Sequence, residues 1–70
     1  MSQAGRKILA DKIAKLREDA GITKEKFSLM LGMDNSYMSK LERYKINISI
    51  DKLENIIDLL GASLDDFLKI

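Results

Sequence analysis

Glycines at positions 21, 32 and 61, in a chain without proline, cut seventy residues into stretches that each have the length of a short helix. Each of these glycines follows apolar residues at helical spacing and reads as a helix stop. Between Arg6 and Ala20, the residues Leu9, Ile13, Leu16 and Ala20 recur with the period of one buried helix face. Thr23 is placed to cap a second helix carrying Phe27 and Leu31, and Glu25 suits the positive end of its dipole. Asp34 is the cap expected for a third helix, in which Met38 and Leu41 share a face. Ser49 caps a fourth, whose Ile50, Leu53, Ile56, Ile57 and Leu60 form the clearest apolar stripe of the chain. Ser63 and Asp66 have the spacing of a capping box ahead of a short fifth helix with Leu64, Phe67 and Leu68. No strand is expected anywhere in the chain. The expectation is an all-α fold, a single compact five-helix domain over residues 1–70.

A chain of this length lies near the lower limit at which one apolar core stabilises a fold unaided. It has no cysteine and no histidine, so disulfides, thiolate nucleophiles, the usual zinc ligands and the commonest general base are all removed. Packing alone must hold it together, and no metal or cofactor is expected. The longest apolar runs fall far short of the roughly 20 residues that span a bilayer, and no secretory hydrophobic stretch opens the chain. An intracellular, cytoplasmic protein without membrane contact is expected. The net charge of +1 is unevenly spread: residues 1–48 hold ten Lys/Arg against six Asp/Glu, residues 49–70 two against five. Affinity for phosphates depends on where the cations gather, so the basic part carries the functional question.

Within it, two short helices flank Leu31-Gly32-Met33-Asp34. A tight turn between two such helices presents the second one to a DNA major groove. Gly32 supplies the unusual backbone angle, Met33 is expected to plug the angle between the helices, and Asp34 to cap the second. An ordinary helical hairpin has the same outline, and on these residues alone both readings stand.

Longer motifs carry a resemblance. Leu16-Arg17 with Gly21, then Ile22-Thr23 entering the second helix, is followed by Ser36-Tyr37-Met38-Ser39-Lys40-Leu41-Glu42-Arg43, and residues 59–67 run Leu-Leu-Gly-Ala-Ser-Leu-Asp-Asp-Phe. These residues resemble the lambda-repressor-like helix-turn-helix family of Cro/cI or XRE type, across roughly residues 7 to 68. The resemblance implies a transcriptional regulator that binds double-stranded DNA as a homodimer. Four departures from the family pattern stand out: Lys24 for Gln, Ser28 for Ala, Tyr44 for Gly and Ile48 for Pro. Tyrosine is strained where glycine adopts the left-handed conformation, so an altered turn is expected after Arg43.

By the same resemblance, Arg17 and Glu42 bridge the first and third helices. Asn35, Ser36, Ser39 and Lys40 become the base-reading residues: Asn pairs with adenine, Lys donates to guanine, and Ser contacts several bases. Lys24, Tyr37, Arg43, Lys45 and Asn47 become phosphate contacts, which position without specifying. Leu64, Phe67, Leu68 and Ile70 form the expected dimer interface. Leu29 and Met30 stand where the family is usually polar, so at least one of them is expected on the surface. The alternative function is a protein-interaction module, such as an antitoxin or an antagonist of another regulator. An enzyme is disfavoured, because the carboxylates form no convincing pair and the chain is too short to enclose a substrate pocket.

Overall fold

Three of the four caps anticipated from local spacing, Thr23, Ser49 and Ser63, form as hydrogen bonds. The computed structural model describes residues 3–69, and helices span Gln3–Asp19 (α1), Lys24–Met30 (α2), Tyr37–Glu42 (α3), Ile50–Leu59 (α4) and Leu64–Leu68 (α5). Among the described residues there is no strand. Thr23, Ser49 and Ser63 are extended, and each side chain accepts the N–H three residues on, from Lys26, Lys52 and Asp66, at 3.1 Å. Each such cap is worth about 1 kcal/mol over alanine.

The first four helices end alike. At each end one N–H reaches back three residues and the next reaches back five, as in Gly32 N to Leu29 O and Met33 N to Ser28 O, both 3.0 Å. This closure needs a left-handed residue. Gly21, Gly32 and Gly61 supply it with φ of 73°, 75° and 73°, and a Cβ added there would meet nothing within 4 Å, so conformation rather than space selects glycine. At the end of α3 the residue is Tyr44, with φ 63°. Its N–H bonds Leu41 O and that of Lys45 bonds Lys40 O, both at 3.0 Å. The altered turn expected there does not occur: the chain keeps the glycine geometry and carries a strain of about 1 to 2 kcal/mol.

All five helices contribute to the core, which consists of Ala10, Ile13, Phe27, Met38, Leu41, Leu53, Ile56, Ile57 and Phe67. Truncating Phe27 or Phe67 to alanine would cost about 3 to 5 kcal/mol. That is about the whole stability a core of this size supplies. The core departs from the sequence expectation at three places. On α1 the buried residues are Ala10, Ile13 and Arg17, with Leu9 and Leu16 half-buried and Ala20 exposed. The helical period holds, but the buried face is rotated toward α3. On α4, Ile50 is 64% exposed although it lies on the stripe, because it is the first helical residue and no neighbouring element covers it.

Phe67 is the third departure. Expected at a dimer interface, it is fully buried with Lys12 Nζ 5.6 Å from its ring centroid, since α5 turns its one aromatic inward to close the core. Leu64 and Leu68 remain exposed on that helix, and Ile70 lies outside the described residues.

Candidate nucleic-acid interface

The connection from α2 to α3 sets how the third helix is presented. Asp34 Oδ1 accepts the amide of Ser36 at 2.8 Å and its hydroxyl at 2.5 Å, while Tyr37 N donates to Asp34 O at 3.1 Å. The two bonds from Ser36, the hydroxyl first, hold the Asp34 carboxyl below its ordinary range. Asp34 therefore closes a turn ahead of α3 rather than capping the helix itself. Ser36 is the residue at the cap and makes no side-chain cap bond. Asn35 and Ser36 consequently stand on that turn, just before the first residue of the rod.

The amide a cap would satisfy is taken from another helix. Ser28, fully buried on α2, donates its hydroxyl to Lys24 O at 2.8 Å and accepts Met38 N–H at 2.9 Å. One oxygen thus ties α2 to the start of α3. Its signal in the sequence is a polar residue next to Phe27 in the short second helix, but the partner ten residues on is visible only in three dimensions. Met33, expected to wedge the two helices, is half-buried and has its sulfur 3.8 Å from Lys52 Nζ of α4.

Along α3, Met38 and Leu41 are buried, while Lys40 and Arg43 are exposed and Ser36, Tyr37 and Ser39 half-buried. At about 100° per residue, Ser36, Ser39, Lys40 and Arg43 fall on one side, opposite Met38 and Leu41. Glu42, the one carboxylate of this helix, lies off that strip. Arg17 Nε donates to its Oε2 at 2.8 Å and Nη2 to its Oε1 at 3.2 Å, with 6% and 11% of the two side chains exposed. Arg17 Nη1 also donates to Ile22 O at 2.6 Å. The bond to Glu42 holds the guanidinium above its ordinary value against the opposing effect of burial. The pair is therefore a two-pronged strut from α1 to α3, and the acid it occupies is withdrawn from the polar strip.

Past α3, Tyr44 Oη donates to Asp11 Oδ1 at 2.6 Å and Arg6 Nη1 donates to Tyr44 O at 3.2 Å. The bond to Asp11 also raises the Tyr44 hydroxyl above its ordinary value, as burial does for Tyr37. Lys24 at the start of α2 is exposed, as are Lys45 and Asn47 in the segment leaving α3. Cations thus stand at both ends of the helix pair. Leu29 and Met30 are both on the surface, at 62% and 43% exposure. Met30 and Leu31 line a shallow cavity of about 300 Å³ with Asn55, Asp58 and Leu59 of α4.

Among the described residues, no group of His, Cys, Asp or Glu has an arrangement that would hold a metal ion. No helix among them is long and apolar enough to cross a membrane.

The family model described as Helix-turn-helix matches residues 13–67. The chain is 33% identical over 58 residues to the HTH-type transcriptional regulator y4dJ of Sinorhizobium fredii (strain NBRC 101917 / NGR234), covering 83% of this chain and 75% of that protein. It is 35% identical over 57 residues to the control protein C.MunI of a Mycoplasma species, covering 80% and 77%. Among solved structures it superposes, with a TM-score of 0.81 and 30% identity, on the restriction-modification controller protein C.Esp1396I, a tetramer in complex with its natural 35 base-pair operator. That match covers 91% of this chain and 84% of the other.

Proposed function

The chain belongs to the helix-turn-helix family, and from that premise we propose that it is a sequence-specific, double-stranded DNA-binding transcriptional regulator acting as a homodimer on an inverted repeat. One observation carries this reading. The outward strip of α3 presents Lys40 and Arg43, and the helix's own carboxylate is locked away by Arg17. A major groove admits one such helix, and its flanking phosphates reward cations while penalising acids.

Asn35, Ser36, Ser39 and Lys40 are assigned to base edges. Lys24, Tyr37, Arg43, Lys45 and Asn47 are assigned to phosphates. Two copies joined through Leu64 and Leu68, which α5 leaves exposed, would set their third helices about one helical turn apart, roughly 34 to 36 Å, on a palindrome. Residues 1–70 act as one domain in the cytoplasm, and no catalytic step is assigned to them.

Selection of bound sites from a random duplex pool tests the reading, with a palindromic consensus as the expected result. Lys40→Ala should then lose about 1 to 3 kcal/mol on the selected site, with far less change on random duplex. Equal losses on both would remove Lys40 from the base-reading set. The exposure of Leu29 and Met30 favours a second reading, a protein-interaction module. A chain serving only that role would not bind random duplex even at low salt.

A further inference from the structure

Three of the four matching helix ends use glycine, and the fourth, the one that finishes α3, uses tyrosine. A strained residue persists where its surroundings over-determine it. Here α1 grips Tyr44 twice, by Asp11 on the hydroxyl at 2.6 Å and by Arg6 on the carbonyl at 3.2 Å, and the ring packs against the core. Arg6 Nε is buried without a hydrogen-bond partner, so its guanidinium is poorly satisfied there. A glycine could offer α1 only the carbonyl. The tyrosine hydroxyl is thus an added tether, reaching across 33 residues of sequence.

What lies just beyond the tether gives it a purpose. Lys45 and Asn47 are exposed, and they alternate with half-buried Ile46 and Ile48 in a non-helical segment before the Ser49 cap. The Tyr44 backbone sets the direction in which that segment leaves α3. We propose that Tyr44, held by Asp11, is a positioning residue that aims Lys45 and Asn47 at the DNA backbone. The inference rests on the DNA-binding reading above, and it adds a residue pair that touches no nucleotide.

The test is a double-mutant cycle on the full chain, with a random-sequence duplex as probe and affinity followed across about 50 to 200 mM salt. Tyr44→Phe keeps the ring and the formal charge and removes only the tether. It should bind about three- to tenfold more weakly than the parent, with a salt slope shallower by up to about 0.9 for each phosphate that is no longer neutralised. Asp11→Ala should show the same deficit relative to Asp11→Asn, which has equal charge and keeps an acceptor for the hydroxyl. In a Lys45→Ala background the effect of Tyr44→Phe should shrink toward nothing.

All measurements are made well below each variant's melting temperature, where a fall in stability alone leaves the slope unmoved. Unchanged slopes for both Tyr44→Phe and Asp11→Ala, or full additivity with Lys45→Ala, would overturn the inference while leaving the function standing. A parent chain that ignores the duplex at low salt would overturn both.

Discussion

Ser28 offers the sharpest test of how α3 is held, because two lines of physical reasoning predict opposite signs for Ser28→Ala. The family pattern usually has alanine at this position, and substitution toward a family's usual residue commonly adds about 0.5 to 2 kcal/mol. Alanine is also the better helix former by a few tenths of a kcal/mol. The structure argues the other way. Ser28 is fully buried, and its oxygen accepts Met38 N–H, a donor at the start of α3 that no preceding turn of helix can satisfy.

Removing that oxygen strands a buried amide at a cost of about 1 to 3 kcal/mol, with little cavity created because only one atom is removed. A net destabilisation of about 1 to 2 kcal/mol follows once the helix preference is subtracted. In a chain this small, each kcal/mol lowers the melting temperature by roughly 4 to 8 °C. Thermal unfolding followed by circular dichroism gives the shift, and amide hydrogen exchange gives its location, with Met38 losing protection more than the α4 core residues. A Ser28→Ala chain that melts at or above the parent temperature with Met38 still protected would refute the account.

Further outcomes follow from the same set of bonds. Arg17→Met should cost about 3 to 5 kcal/mol in urea unfolding, because it leaves the nearly buried Glu42 unpaired. Glu42→Leu should cost less, because Arg17 keeps Ile22 O at 2.6 Å and Glu18 at 3.8 Å, and the double variant should recover much of the Arg17→Met deficit. Additive effects would show that the two side chains act independently. Asp34 is depressed below its ordinary value of 3.8, so its contribution is present above that value and fades as pH falls through the lower, folded one. Asp34→Asn should therefore lower the melting temperature at neutral pH and flatten its decline below about pH 4, so that variant and parent converge at acid pH. Leu68, at 61% exposure, contributes little to the core, so Leu68→Glu should keep the fold yet sediment as a monomer if α5 joins two copies. A dimer that survives both this change and Leu64→Glu would move the interface elsewhere.

Local chemistry makes much of this protein legible from its residues. Three serine and threonine caps and three glycine stops depend on residues three to five positions apart, so order along the chain already contains them. The five-helix count and the polar strip of α3 follow from such local signals together with helical period. The Arg17–Glu42 strut is signalled by the family resemblance rather than by spacing. What escapes are choices made between distant segments. The inward turn of Phe67, the exposure of Ile50 and the rotated face of α1 depend on which element lies opposite, and period alone leaves that open.

Tyr44 and Ser28 make the distinction concrete. Read locally, a tyrosine at a left-handed position is a strain to be avoided and a serine within a short helix is a mild penalty. In the folded chain Asp11 and Arg6 hold the first in place, and Met38 gives the second a buried partner. The order of residues is enough to set the capped starts of α2, α4 and α5 and the glycine ends of α1, α2 and α4, because those free energies are settled within a turn or two of chain. Which side chains hold α3 is a matter for the folded molecule, because those bonds join residues that the backbone brings together only on folding.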